Sequence, residues 1–239
     1  MEQFSLIKWL LEQLRLPHSW GEQYMHIVMA ALVAVFLFAV SLLAWRKLRN
    51  TELMLLPDGR TTTVNVLEVI VGAVLRLMED VLGPKARAHM PLIGSLFIYI
   101  LVSNLIGVIP GLVPPTENVN TNAACAIVVF IYYNVVGIRD QGIRKYLKHM
   151  AGPVIWLAPL LFVIEAVSHL VRPLSLSVRL LGNVVGDHLV LGMFSQLVPL
   201  FLPIVFMGLA IFVSFMQAFV FTLLSIVYIQ MASGEEESL

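Results

Sequence analysis

Charge is scarce in this chain. Lys, Arg, Asp and Glu make up 13% of its 239 residues, about half the share found in an ordinary soluble domain. Its fifteen basic and fifteen acidic side chains cancel, so no net positive field attracts nucleic acid, and that class of partner is excluded. A single cysteine, Cys125, permits no internal disulfide and no thiolate cluster for zinc or an iron–sulfur centre. Glu165 and His169 stand four apart, but two ligands fall short of a metal site, and no metal or cofactor is expected. There is no internal repeat and no low-complexity segment. A signal peptide is not expected either, because the basic start is missing and the first apolar run begins only after residue 22.

What is abundant is hydrocarbon: 59% of the residues are hydrophobic. A hydrocarbon core ~30 Å thick takes ~20 helical residues to cross. Uncharged stretches of that length predict spans over 23–45, 90–112 and 118–138. Two longer apolar segments, 151–194 and 201–232, predict a helical hairpin whose turn falls near Ser195 to Pro203, where Pro199 and Pro203 disfavour an uninterrupted helix. Segment 64–84 is apolar too, but Glu68, Arg76, Glu79 and Asp80 gather on one side, which predicts a helix along the membrane surface. Residues 1–20, with Phe4, Ile7, Leu11 and Leu14 near one face, form a second amphipathic candidate. The expected architecture is one all-α integral membrane domain over 1–239, with about five crossings, the last two long and tilted. Basic residues concentrate after the first and third spans, from Arg46 to Arg87 and from Arg139 to Lys148, against Lys8 and Arg15 on the other side. The positive-inside rule then puts the amino terminus outside and the Glu235-Glu236-Glu237 tail in the cytoplasm.

Ionisable groups within a span cost ~2.5–3.5 kcal/mol each on insertion scales, yet the fourth predicted span holds several. At ~100° per residue, Glu165, His169, Arg172, Arg179, Asn183 and Asp187 share one face within roughly 80°, with Ser175 and Gly186 widening it. His188 points elsewhere. The last span has a weaker polar face made of Ser214, Gln217, Ser225 and Tyr228, with Ala210 beside them. Two polar faces that meet would enclose a wet path. In the alternative, the charges only pair, Glu165 with His169 or Arg172 and Arg179 with Asp187, and hold a bundle together.

The run Glu165-Ala-Val-Ser-His-Leu-Val-Arg-Pro-Leu-Ser-Leu-Ser-Val-Arg179-Leu-Leu-Gly-Asn183-Val-Val-Gly-Asp-His188 closely resembles subunit a of the F-type ATP synthases, the stationary proton-channel subunit. Further matches are Ser103-Asn-Leu-Ile-Gly-Val-Ile-Pro110, Pro115-Thr-Glu-Asn-Val-Asn-Thr-Asn122 and Gln217-Ala-Phe-Val-Phe-Thr-Leu-Leu-Ser-Ile-Val-Tyr228. The similarity runs from about residue 20 to 232. It implies two tilted helices against a rotating ring of c subunits, each carrying one mid-membrane carboxyl group, with two offset half-channels leading to that ring.

By the same resemblance Arg179 faces the ring and separates the half-channels. Asn183, His188 and Gln217 would line the outer one. Glu165 and Ser168 would belong to the cytoplasmic one, with Ser175 between them and His169 a weaker candidate. Bacterial relatives often set a glutamate at the position of His188 opposite a histidine on the last helix. Here His188 stands against Ala210, so the expectation is that Asp187 and His188 serve the outer path from one helix, with water where the partner is absent. The implied partners are the c-ring, the peripheral-stalk b subunits, the rest of the F-type ATP synthase and the lipid bilayer. The chain would have no catalytic chemistry of its own and would sit in a bacterial inner membrane.

Two other classes fit the residues less well. A small ion-coupled secondary transporter would use the charged stripe as a substrate site, but there is no repeated half and no second charged helix to form the opposite wall. An intramembrane hydrolase needs a nucleophile with its base or a His-Glu-x-x-His helix, and the sequence has neither.

Overall fold

The computed structural model describes residues 18–48, 63–109, 112–146, 158–197 and 202–233. Residues 1–17 of the amphipathic candidate over 1–20, the start of the fourth predicted span at 151–157, most of the hairpin turn and the acidic tail lie outside the described residues. Six helices account for nearly all the rest: α1 His18–Leu48, α2 Thr63–Leu82, α3 Ala86–Ile106, α4 Val119–Gln141, α5 Ala158–Leu197 and α6 Leu202–Ser233. Among the described residues there is no strand. Five stretches are long and apolar enough to cross a membrane: Met25–Arg46, Glu68–Ile106, Val119–Gln141, Pro159–Phe194 and Ile204–Ser233.

Helix α6 is the hub and packs on α2, α3, α4 and α5. The buried positions recur every three to four residues, as one face of a helix requires: Ile93, Phe97 and Ile100 on α3, Val129, Tyr133 and Val136 on α4, and Leu176 and Leu180 on α5 meet Ala218, Phe221, Ile226 and Ile229 of α6. Between membrane helices the lipid supplies no hydrophobic drive, so close packing and interhelical hydrogen bonds hold such a bundle. Helix α2 turns Val74, Met78 and Leu82 inward and leaves Glu68, Arg76 and Asp80 exposed. A 3₁₀ turn, Gly83–Lys85, separates it from α3, and ion pairs Glu79–Arg87 (3.2 Å) and Lys85–Asp140 (3.4 Å) tie this corner together.

Two features position the site. The first is the connection between α3 and α4, which holds a 3₁₀ turn at Pro115–Glu117. Thr116 Oγ1 donates to Asn104 Oδ1 (2.8 Å), Asn122 Nδ2 donates to the Thr116 carbonyl (2.7 Å), and the Asn118 side chain accepts from the Asn120 N–H at the start of α4. All three of Asn104, Thr116 and Asn122 are buried, so these bonds fix the turn firmly. The second is the continuity of α5, which runs for 40 residues straight through Pro173. Pro173 supplies no N–H for the carbonyl one turn back, yet the helix neither ends there nor at Gly182. At 1.5 Å per residue α5 is about 60 Å long. It lies on the outside of the bundle, with Leu170, Leu174 and Leu189 more than 60% exposed.

Candidate functional site

Glu165 and His188 are about 35 Å apart along α5, at opposite ends of the neighbouring α4. The polar stripe thus divides into two clusters.

Near the start of α5, the charges are paired. Arg172 Nη2 lies 3.4 Å from Glu165 Oε1, and its guanidinium sits 5.3 Å from the centre of the Tyr228 ring on α6. His169 does not pair with Glu165. Its Nε2 is 2.9 Å from the Tyr146 hydroxyl, which donates to Asn134 Oδ1 at 2.8 Å. A phenol has one proton, so Tyr146 accepts from His169, which fixes the Nε2–H tautomer. His169 Nδ1 is then a buried acceptor with no partner. Phe130 and Tyr133 close over the imidazole edge-on. Burial pushes the Tyr146 phenol above its ordinary pKa, so it remains a donor. Tyr146 reaches this place because Gly142, at φ +78°, turns the chain back after α4, and because Gly137 has no side chain. A Cβ at Gly137 would stand 2.7 Å from the Tyr146 ring and 2.9 Å from the Ala232 carbonyl. Gln141 Nε2 donates to that same carbonyl at 2.8 Å. The cavity left between Glu165, His169, Arg172 and Gln141 is only about 30 Å³.

Toward the end of α5, the arrangement is open. A cleft of about 110 Å³ separates α5 from α6 and the end of α3. Asn183, Asp187 and His188 line it from α5, Ser214 and Gln217 from α6, and Asn104 and Gly107 from α3 and the turn beyond it. Ala210 is part of its wall, and its small side chain leaves room. The Asn183 and Gln217 amides are hydrogen-bonded to each other, which joins the two polar faces. Gln217 Nε2 is buried without a partner. Apolar side chains make up most of the rest of the wall, among them Val184, Leu191, Phe206 and Val213, and the volume is large enough for water beside the orphaned Gln217 donor. His188 does have a protein partner: Glu117, on the 3₁₀ turn before α4, places Oε1 3.5 Å from His188 Nδ1. Along α6 His188 faces Ala210, and its partner comes instead from the connection before α4. Ser225 faces inward as well but closes on its own helix, donating to the Phe221 carbonyl.

Arg179 lies between the two clusters. Among the described residues it makes no hydrogen bond, ion pair or ring contact, although Glu165 and Asp187 share its side of α5. It is half-buried at the edge of an exposed strip in which small residues, Ser168, Ser175, Gly182 and Gly186, recur beside apolar ones. A Cβ at Gly182 or Gly186 would meet nothing within 4 Å. The stripe therefore contains one internal pair and one cation left over.

Glu117, Tyr146, Asn134 and Gln141 were not singled out as site residues from sequence. Asn134 carries a signal, being an amide inside an apolar span, whereas Tyr146 and Glu117 sit in connections where polar residues are ordinary.

Residues 26–230 match the ATP synthase A chain family. The chain is similar to ATP synthase subunit a 1 of Syntrophotalea carbinolica, at 46% identity over 97% of both proteins. It is 45% identical to ATP synthase subunit a of Geobacter sulfurreducens over 92% of this chain and 91% of that one. With ATP synthase subunit a of Trichlorobacter lovleyi it shares 49% over 83% and 82%. With the family match spanning 26–230 and relatives at 45–49% identity over most of their length, the chain belongs to the ATP synthase subunit a family.

Proposed function

We propose that this chain is the stationary proton-conducting subunit of a rotary ATP synthase, with two half-channels meeting at Arg179. The observation that carries the reading is Arg179, unpaired among the described residues on the outer face of α5, between an open cleft on one side and a polar cluster on the other. An uncompensated charge inside a membrane is expensive, so its counter-charge comes from another chain. The small residues beside it let a partner helix approach closely, and a c-ring carboxyl at mid-membrane is the partner that fits. Helix α5, about twice as long as the hydrocarbon is thick, tilts along the ring, and α2 lies on the membrane surface.

Arginine keeps its proton at any workable pH, so Arg179 acts as a fixed charge and not as a relay. A ring carboxyl facing lipid stays protonated because desolvation disfavours the anion. Opposite Arg179 the cation favours the carboxylate, and the proton leaves. Protons enter through the cleft at Asp187, His188, Asn183 and Gln217 and leave past Ser175, Ser168 and Glu165. Direct passage between the two paths is blocked by the Arg179 charge. Each proton crossing 100 mV delivers about 2.3 kcal/mol, which summed over a turn drives synthesis in the attached catalytic head. The b subunits hold the chain against the ring's torque, with the amino terminus outside a bacterial inner membrane.

ATP-driven proton pumping by membrane vesicles carrying Arg179→Ala tests this. The expected result is essentially complete loss of coupled pumping with the complex still assembled. Inhibitor-sensitive pumping at the wild-type rate would overturn it.

A further inference from the structure

His188 faces away from the group it must serve. It follows Arg179 by nine positions, which at ~100° each brings it to the opposite side of α5. A proton that reaches His188 therefore starts behind the helix and crosses to the front through the α5–α6 cleft, whose walls run from His188 to Asn183 and Gln217. What feeds His188 from the aqueous side is the question this geometry raises. Asp187 shares the cleft and lines its inside. Glu117 does not line the cleft. It lies on the far side of His188, its carboxylate 3.5 Å from Nδ1 and its side chain 39% exposed against 28% for the imidazole.

We infer that Glu117 is the outermost group of the entry path, a carboxylate that takes protons from the aqueous phase and passes them to His188. This rests on the half-channel reading above and adds to it a group from a different part of the chain. Three observations support it. The Pro115–Glu117 turn lies in the connection between two spans, where the membrane meets water. Buried hydrogen bonds from Asn104, Thr116 and Asn122 hold that turn in place, so the carboxylate is presented at a fixed distance from the imidazole. And the ring beside it forms the wall of a cleft large enough for water. Among the described residues, the charged and titratable groups around His188 are Glu117 from the turn and Asp187 from its own helix, and the α6 and α3 side of the cleft contributes neutral side chains. The step is a proton transfer alone: the carboxyl gives up its proton to the ring nitrogen and is re-protonated from water. Carboxylate–imidazole pairs at this separation exchange protons directly or through one water.

The test uses the whole complex in liposomes, making ATP after an acid–base jump, with the pH of the entry side and of the opposite side varied separately. Glu117→Gln keeps the shape and removes the titratable oxygen. It should lower the rate several-fold and displace the midpoint of the entry-side pH profile by about half a unit or more, with the opposite-side profile unchanged. Glu117→Asp should restore most of the rate. In a His188→Ala background Glu117→Gln should add no further loss, because the two groups act in series. An unchanged entry-side profile, equal changes on both sides, failure of the Gln variant to assemble, or losses that simply add would each overturn the inference. Arg179→Ala run in parallel separates the two readings. If it also leaves synthesis intact, the half-channel reading itself has failed; if it abolishes synthesis while Glu117→Gln has no effect, only the role of Glu117 is lost.

Discussion

The two ends of α5 hold similar residues and treat them oppositely. Both have a histidine, a carboxylate and an amide. At the Glu165 end the groups are largely paired, guanidinium against carboxylate, imidazole Nε2 against phenol, phenol against amide, with aromatic rings packed over them and about 30 Å³ of space left, although His169 Nδ1 and the Tyr133 hydroxyl are buried without a partner. At the His188 end the same chemistry surrounds a cleft of about 110 Å³, and an amide donor in its wall has no protein partner. Paired groups in low dielectric hold geometry, whereas orphaned donors beside a cavity hold water. The charged stripe thus has a packed, largely paired end and an open end facing a cleft, and Arg179 belongs to neither, with no partner among the described residues.

The largest effect is expected at the Asn183–Gln217 bridge, where the open end joins α6. Gln217→Leu fills similar volume but removes the amide. It strands Asn183 and makes the inner wall of the cleft apolar. Pumping per assembled complex should fall by about tenfold or more, since restoring a wire of waters past an apolar wall carries the desolvation cost of an unpaired polar group, about 1–3 kcal/mol. ATP-driven acidification normalised to the amount of intact complex checks it. Wild-type pumping would mean that the cleft is not on the proton's route.

Much of this was legible in the sequence, for a physical reason. Lipid tolerates only helices with satisfied backbones, so length and hydropathy announce the spans, and the cost of charge in hydrocarbon makes Glu165, Arg172, Arg179 and Asp187 conspicuous. A helical wheel placed them on one side of α5, and the observed stripe is continuous because α5 is unbroken at Pro173. What the wheel cannot give is partners on other elements. Of the pairings open on paper, Glu165–Arg172 forms and Arg179–Asp187 does not. Glu117 and Tyr146 come from connections whose sequence is unremarkable in polarity, and they reach His188 and His169 only through three-dimensional packing.

The closed end should respond in stability where the open end responds in transport. Gly137→Val drives a branched side chain into the Tyr146 ring and the Ala232 carbonyl, the second of which is backbone and cannot rotate away. The expected loss is at least about 1–3 kcal/mol, the usual cost of overpacking. It should appear as a lower melting temperature of the detergent-solubilised complex, while the complexes that do assemble pump normally at low temperature. Retained stability would mean that the Tyr146 contact is dispensable.

Tyr146→Phe is the mildest probe of the same contact, because the ring stays and only the hydroxyl goes. It removes the bonds to Asn134 and His169 and leaves His169 with neither nitrogen partnered. A loss of about 1 kcal/mol is expected, with pumping little changed. The pH dependence gives a second handle. Burial raises the Tyr146 pKa in the folded chain, so the native state holds this proton more tightly than the unfolded one. The stability it contributes is then fully present below the unfolded value of about 10 and is lost as pH rises through the folded value. The advantage of wild type over Phe in thermal unfolding should be constant from neutral pH to about 9 and narrow above about 10. An advantage that widens in alkali would mean that the phenol is not buried against His169, and the closed end would then be as open to water as the cleft at His188.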